Sequence, residues 1–94
     1  MRYGKMDEKK AYIEKQEAEL KKWQAKLDEL KSKSQSASAD AKIRMAEQEK
    51  TAEGRMDAAR AQLNDLKNSM GDRWRSTQGG MDEAWTELKS AFRA

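Results

Sequence analysis

The sequence predicts an all-α fold: a long amphipathic helix over about residues 6–70 with coiled-coil character, then a short helix over about 80–92. Three observations predict it. Proline is absent, only five of the 94 residues are glycine, and Ala, Glu, Lys, Gln, Leu and Met dominate, which are good helix formers. One apolar stripe runs through Met6, Ile13, Leu20, Trp23, Leu27, Leu30, Ala37, Ala41, Met45, Ala52, Met56, Ala59, Leu63, Leu66 and Met70. Counting Lys9, Gln16, Ser34 and Gln48 as polar gap-fillers, every step along it is three or four residues, the spacing of one helix face. Finally, Met81, Trp85, Leu88 and Phe92 form a second apolar face after a glycine pair.

Charged residues make up 39% of the chain and mean hydropathy is −1.21. Such values weaken collapse, but here the few apolar residues are placed in phase. A lone helix would leave that face wet, so the chain either folds back on itself or associates. Ninety-four residues allow one domain, spanning 1–94.

Residues 1–5 read as a frayed lead, with Tyr3 packing at the helix start and Gly4 disfavouring helix. Asp7 and Glu8 suit a first turn, where free N–H groups favour negative charge. From Met6 to Ser34 the period is seven. Ile13, Leu20 and Leu27 form one row and Gln16, Trp23 and Leu30 the other, a heptad seam. Glu17 with Lys21 and Glu29 with Lys33 are spaced for favourable pairing, whereas Lys22 and Lys26 are like charges at the same spacing. Tyr12 lies beside the stripe and widens it, which suits a bundle of more than two helices.

Residues 32–40 carry four serines and no large apolar group. Serine hydroxyls compete for backbone hydrogen bonds, so a turn near 33–39, with Asp40 capping a new helix, gives the alternative layout: a hairpin or three-helix bundle. The spacing favours continuity, because Ser34 to Ala59 keeps phase through two eleven-residue periods, which need little supercoiling. Gly54 lies off the stripe. Asn68 to Gly71 is the clearest boundary, with Gly71 placed as a helix-ending glycine and Asp72 as a cap for a short turn around Trp74. Gly79-Gly80 reads as a helix break or hinge. Asp82 and Glu83 then fall in the first turn of the last helix.

Basic residues number 20 and acidic 17, for a net charge of +3. The signs alternate as on a solvated helix surface, so nucleic acid, which selects a concentrated basic face, is disfavoured as a partner. No histidine or cysteine is present, which removes the usual general base, zinc ligand and thiol nucleophile. Neighbouring acids such as Asp28-Glu29 and Asp82-Glu83 do not converge on a helix. No catalytic residue, cofactor or metal site is expected. No run approaches the roughly 20 apolar residues of a membrane span and no signal peptide is visible, so a cytoplasmic protein is the default.

The segment EAELKKWQAKLDELKSK (17–33), the central SADAKIRMAEQE (38–49) and the tail GDRWRSTQGGMDEAWTELKSAF (71–92) together resemble small bacterial coiled-coil proteins of a cyanobacterial-type stress-response family. Trp23 followed by Leu27, the element Gly71-Asp72-x-Trp74, and Ala84-Trp85 with Leu88 carry the likeness over nearly the whole chain. The resemblance implies a helical, stress-related protein with no established catalytic residues. Relatives are richer in charge where this chain has residues 32–39, which leaves open whether a turn was introduced there.

The expected function is that of a non-enzymatic structural or protein-interaction coiled coil. It self-associates through its stripe as a homo-oligomer or meets another helical protein. Its packing residues are Ile13, Leu20, Trp23, Leu27, Leu30, Met45, Met56, Leu63, Leu66, Met70, Trp74, Met81, Trp85, Leu88 and Phe92. The alternative is reversible binding of an amphipathic helix to an anionic membrane, for which the terminal face with Lys89 and Arg93 is the best candidate.

Overall fold

The computed structural model describes the backbone of residues 5–93 and the side chains of residues 8–93. The expectations for Tyr3, Gly4 and the side chains of Met6 and Asp7 lie outside these. The fold is all-α. Helix α1 spans Lys5–Gln35, α2 spans Ala39–Asn68, a 3-10 turn spans Arg73–Thr77, and α3 spans Gln78–Arg93. Lys5, assigned above to a frayed lead, already belongs to α1.

The unbroken helix over 6–70 is corrected: it is two helices joined at residues 36–38, the hairpin layout. The serines supply the reason. Ser36 N–H and Ala37 N–H turn back to Lys33 and Ser34 carbonyls, and the Ser36 hydroxyl donates to Lys33 O. Ser38, rather than Asp40, caps α2, its Oγ accepting from Ala41 N–H at 3.3 Å; Asp40 sits in the first turn, where its charge suits the helix dipole. Folding back also covers the stripe within one chain. The stripe keeps phase across the break because both helices turn the same kind of face inward on either side of a tight turn.

A ladder fixes the antiparallel register of α1 and α2. Glu17 pairs with Lys67 at 2.8 Å, Gln24 accepts from Arg60 at 2.8 Å, and Lys31 pairs with Glu53 at 2.7 Å. Each rung advances seven residues along α1 and retreats seven along α2, so the heptad of α1 is read out by its neighbour. The hydrogen bond and charge of Glu53 push the Lys31 ammonium above its ordinary pKa. Glu17 thus serves Lys67 rather than Lys21, while Glu29 and Lys33 pair within α1 at 3.1 Å as expected. Solvated pairs add little stability; their constant spacing selects one alignment.

Helix α2 is central, with α1 and α3 packed against it. The fully buried Met56, Leu66, Met81 and Leu88 lie at its interfaces, each worth about 1.5–3 kcal/mol of burial. One core cluster joins Trp23, Leu27, Ala52, Met56, Leu88 and Ala91; a second joins Ala59, Leu63, Met81 and Ala84. Small alanines on α2 leave room for the larger side chains of its two neighbours.

Four local expectations at the second junction are corrected. Helix α2 stops at Asn68, capped by Ser69, whose N–H donates to Leu66 O. Gly71 therefore lies past the cap. Its φ of 59°, followed by Asp72 at φ −92° and ψ 0°, opens a turn closed by Arg73 N–H to Met70 O at 3.2 Å, a place where glycine avoids a Cβ clash. Asp72 precedes the 3-10 turn, but its side chain does not cap it. Gly79-Gly80 does not break the chain: both lie in the first turn of α3, which continues directly from the 3-10 turn. A Cβ on Gly80 would fall 2.0 Å from Gln62 Nε2, so this glycine admits the Gln62 side chain. Asp82 and Glu83 consequently sit beyond the first turn of α3.

The molecule measures 57 × 22 × 17 Å with a radius of gyration of 16.2 Å, against about 12 Å for a globule of this length. The elongation comes from the length of the two hairpin helices. At 1.5 Å per residue α1 and α2 are each about 45 Å long and α3 about 24 Å, so α3 covers roughly half of the hairpin.

Candidate interaction site

The packing residues named from sequence converge, except Met45, which lines the open groove, and Met70. Trp23, Leu27, Met56, Leu63, Leu66, Trp74, Met81 and Leu88 are buried. Ile13, Leu20, Leu30, Met45, Trp85 and Phe92 are half-buried. Met70 is the correction: it is 81% exposed, because α2 ends two residues earlier and the chain turns away. Trp74 packs across the junction as expected, its ring centroid 5.6 Å from that of Tyr12, which explains why Tyr12 widens the stripe.

The polar gaps in the stripe prove to be fastenings between helices. Lys9 Nζ donates to the carbonyls of Lys67, at 3.0 Å, and of Ser69, closing the C-terminal end of α2. Gln48 Nε2 donates to Ala91 O and Phe92 O at 3.2 and 3.1 Å, doing the same for α3. Helix ends carry unsatisfied carbonyls, and each such bond is worth about 0.5–1.5 kcal/mol. Buried Gln16 accepts from Trp85 Nε1, tying α1 to α3. Ser34, the fourth gap, gives its carbonyl to the turn. Sequence reasoning treated these positions only as interruptions; their signal was their placement on the buried face.

Burial raises the Tyr12 phenol above its ordinary pKa, and the Asp82 carboxylate raises it further. A folded pKa above the unfolded one means that the associated stability is intact below about pH 10, the unfolded tyrosine value, and is lost as pH rises through the folded value. Urea midpoints measured on both sides of pH 10 should therefore fall more steeply for the native chain than for Tyr12→Phe. The buried Tyr12 hydroxyl has no hydrogen-bond partner among the described residues, so the substitution itself should be near neutral at pH 7.

Beyond Gln48 the α1–α2 hairpin extends without α3. There the stripe continues through half-buried Ser34, Ala37, Ala41 and Met45, and Ile43 is 63% exposed beside it. A groove of about 610 Å³ opens where α3 ends, lined by Ala41, Arg44, Met45, Glu47, Gln48, Thr51 and Ala91. Its floor is small and apolar and its rim carries one charge of each sign. Among the described residues no group of three His, Cys, Asp or Glu side chains is placed to hold a metal ion, and no helix is long and apolar enough to cross a membrane.

These features define a class: a small antiparallel three-helix bundle, closed along half its length and open at the hairpin end. No protein-family model, curated protein or solved structure matches the chain.

Proposed function

We propose that the chain is a non-enzymatic structural or interaction module that self-associates through the open end of its hairpin, the part of the apolar stripe that α3 leaves uncovered. The observation that carries this reading is the groove lined by Ala41, Met45 and Ala91, with Ile43 63% exposed beside it. Two hairpin ends laid side by side would give a short four-helix segment between two three-helix ends. The small side chains there allow close approach. The closed half of the stripe is spent within the chain and is not offered to a partner.

Lipid binding through α3 fits less well, because Met81, Ala84, Leu88 and Ala91 already face the core and α3 would have to undock first. A stress-related role rests on the family resemblance alone, and a cytoplasmic setting on the absence of cysteine and of any membrane-spanning helix among the described residues.

Light scattering over a concentration series tests the proposal. The native chain should pass from monomer to dimer, and Ile43→Lys with Met45→Lys should remain monomeric at unchanged helicity. A native chain that stays monomeric throughout would overturn self-association.

A further inference from the structure

We propose that the cleft between α1 and α3 binds a small, soluble phosphate-bearing anion. Helices α1 and α3 meet through large side chains, among them Trp23 stacked on Phe92 with ring centroids 5.2 Å apart and Trp85 bonded to Gln16. The spacing leaves an open cleft of about 320 Å³ beside Trp23 and Trp85, near the lower limit of about 300 Å³ for small-molecule sites.

Lys22 and Lys26 from α1 and Lys89 from α3 line this cleft, against one acidic side chain, Glu19. Lys22 and Lys26 lie 5.8 and 5.1 Å from the Trp23 ring centroid. Like charges one helical turn apart repel, and a third cation from another helix adds to the repulsion. Lys31, Lys67, Arg55 and Arg75 are matched across helices by Glu53, Glu17, Glu87 and Glu8, whereas the cleft gathers three cations from two helices in one place. Among the described residues, Lys22, Lys26 and Lys89 have no ion-pair partner. A polyanion seated between them would neutralise the three ammonium groups.

Pyrophosphate titrated into the full chain at low ionic strength, followed by calorimetry, tests the assignment. Saturable binding is expected. Lys22→Gln, Lys26→Gln and Lys89→Gln combined should weaken it by about tenfold or more, since charge-assisted bonds carry it. A control with Lys10→Gln, Lys42→Gln and Lys50→Gln removes the same charge elsewhere and should bind as the native chain does. If the triple variant fails to fold, Lys89→Gln alone carries the comparison. Absence of saturable binding, or equal weakening by the control, would overturn the site. Cleft-dependent binding to phosphatidylglycerol vesicles without pyrophosphate binding would overturn the soluble ligand.

Discussion

Leu88→Asp is expected to detach α3 from the hairpin. Leu88 is fully buried in the cluster of Trp23, Leu27, Ala52, Met56 and Ala91. The substitution removes a leucine side chain from the core and puts a carboxylate in its place. Truncation of a buried leucine alone costs about 2–5 kcal/mol, and an unpaired buried charge adds to that. The whole fold is worth about 5–15 kcal/mol, so the variant spends most of it. Helix α3 has 16 residues and is marginal once undocked. Far-ultraviolet circular dichroism should lose the signal of about one short helix, with the remainder melting at much lower urea. Glu83→Ala, at an exposed position on the same helix, should shift the midpoint by no more than about 0.5 kcal/mol. Equal tolerance of both changes would mean that α3 does not pack as described.

Trp74→Ala should cost about 3–5 kcal/mol, the usual range for emptying a large aromatic site. Trp74 is 3% exposed; its ring packs at a tilt against Tyr12 and carries Arg75 at 5.0 Å from its centroid. It is the anchor by which the 3-10 turn holds to α1, and Arg75 reinforces the link by pairing with Glu8. Its indole N–H has no acceptor among the described residues. Trp74→Phe therefore keeps a ring without losing a hydrogen bond and should recover most of the stability. Thermal melts of the two variants separate them; a Phe variant as unstable as the Ala variant would contradict a role based on ring packing.

The buried face was legible in the sequence because helical spacing depends only on local geometry. Ile13 through Leu66 fall inward as the stripe requires, and Trp85, Leu88 and Phe92 follow the same rule in α3. Chain direction was not legible at residues 36–38. A helix that continues and one that folds back can both keep the three–four spacing, and the choice depends on serine hydroxyls and on what the stripe packs against. Gly79-Gly80 misled for a related reason. Local propensity disfavours helix there, yet Met81, fully buried, docks the segment as helix. Met70 obeyed the spacing but lay beyond the last turn of α2. The open groove was the least legible feature, since it depends on how α3 lies against the hairpin. The roles of Lys9, Gln16 and Gln48 likewise depend on which helix ends arrive beside them.

The hairpin is the claim on which the rest stands, and a distance between two spin labels tests it most directly. The chain has no cysteine, so Lys10→Cys and Asn68→Cys, both exposed, can be labelled cleanly and diluted with unlabelled chain to suppress distances between copies. Lys9 Nζ reaches Lys67 O at 3.0 Å, and packed helix axes lie about 8–10 Å apart, so the labels should be separated by less than about 25 Å. An unbroken helix would set the same sites about 87 Å apart, and a distance of that order would contradict the fold and everything built on it.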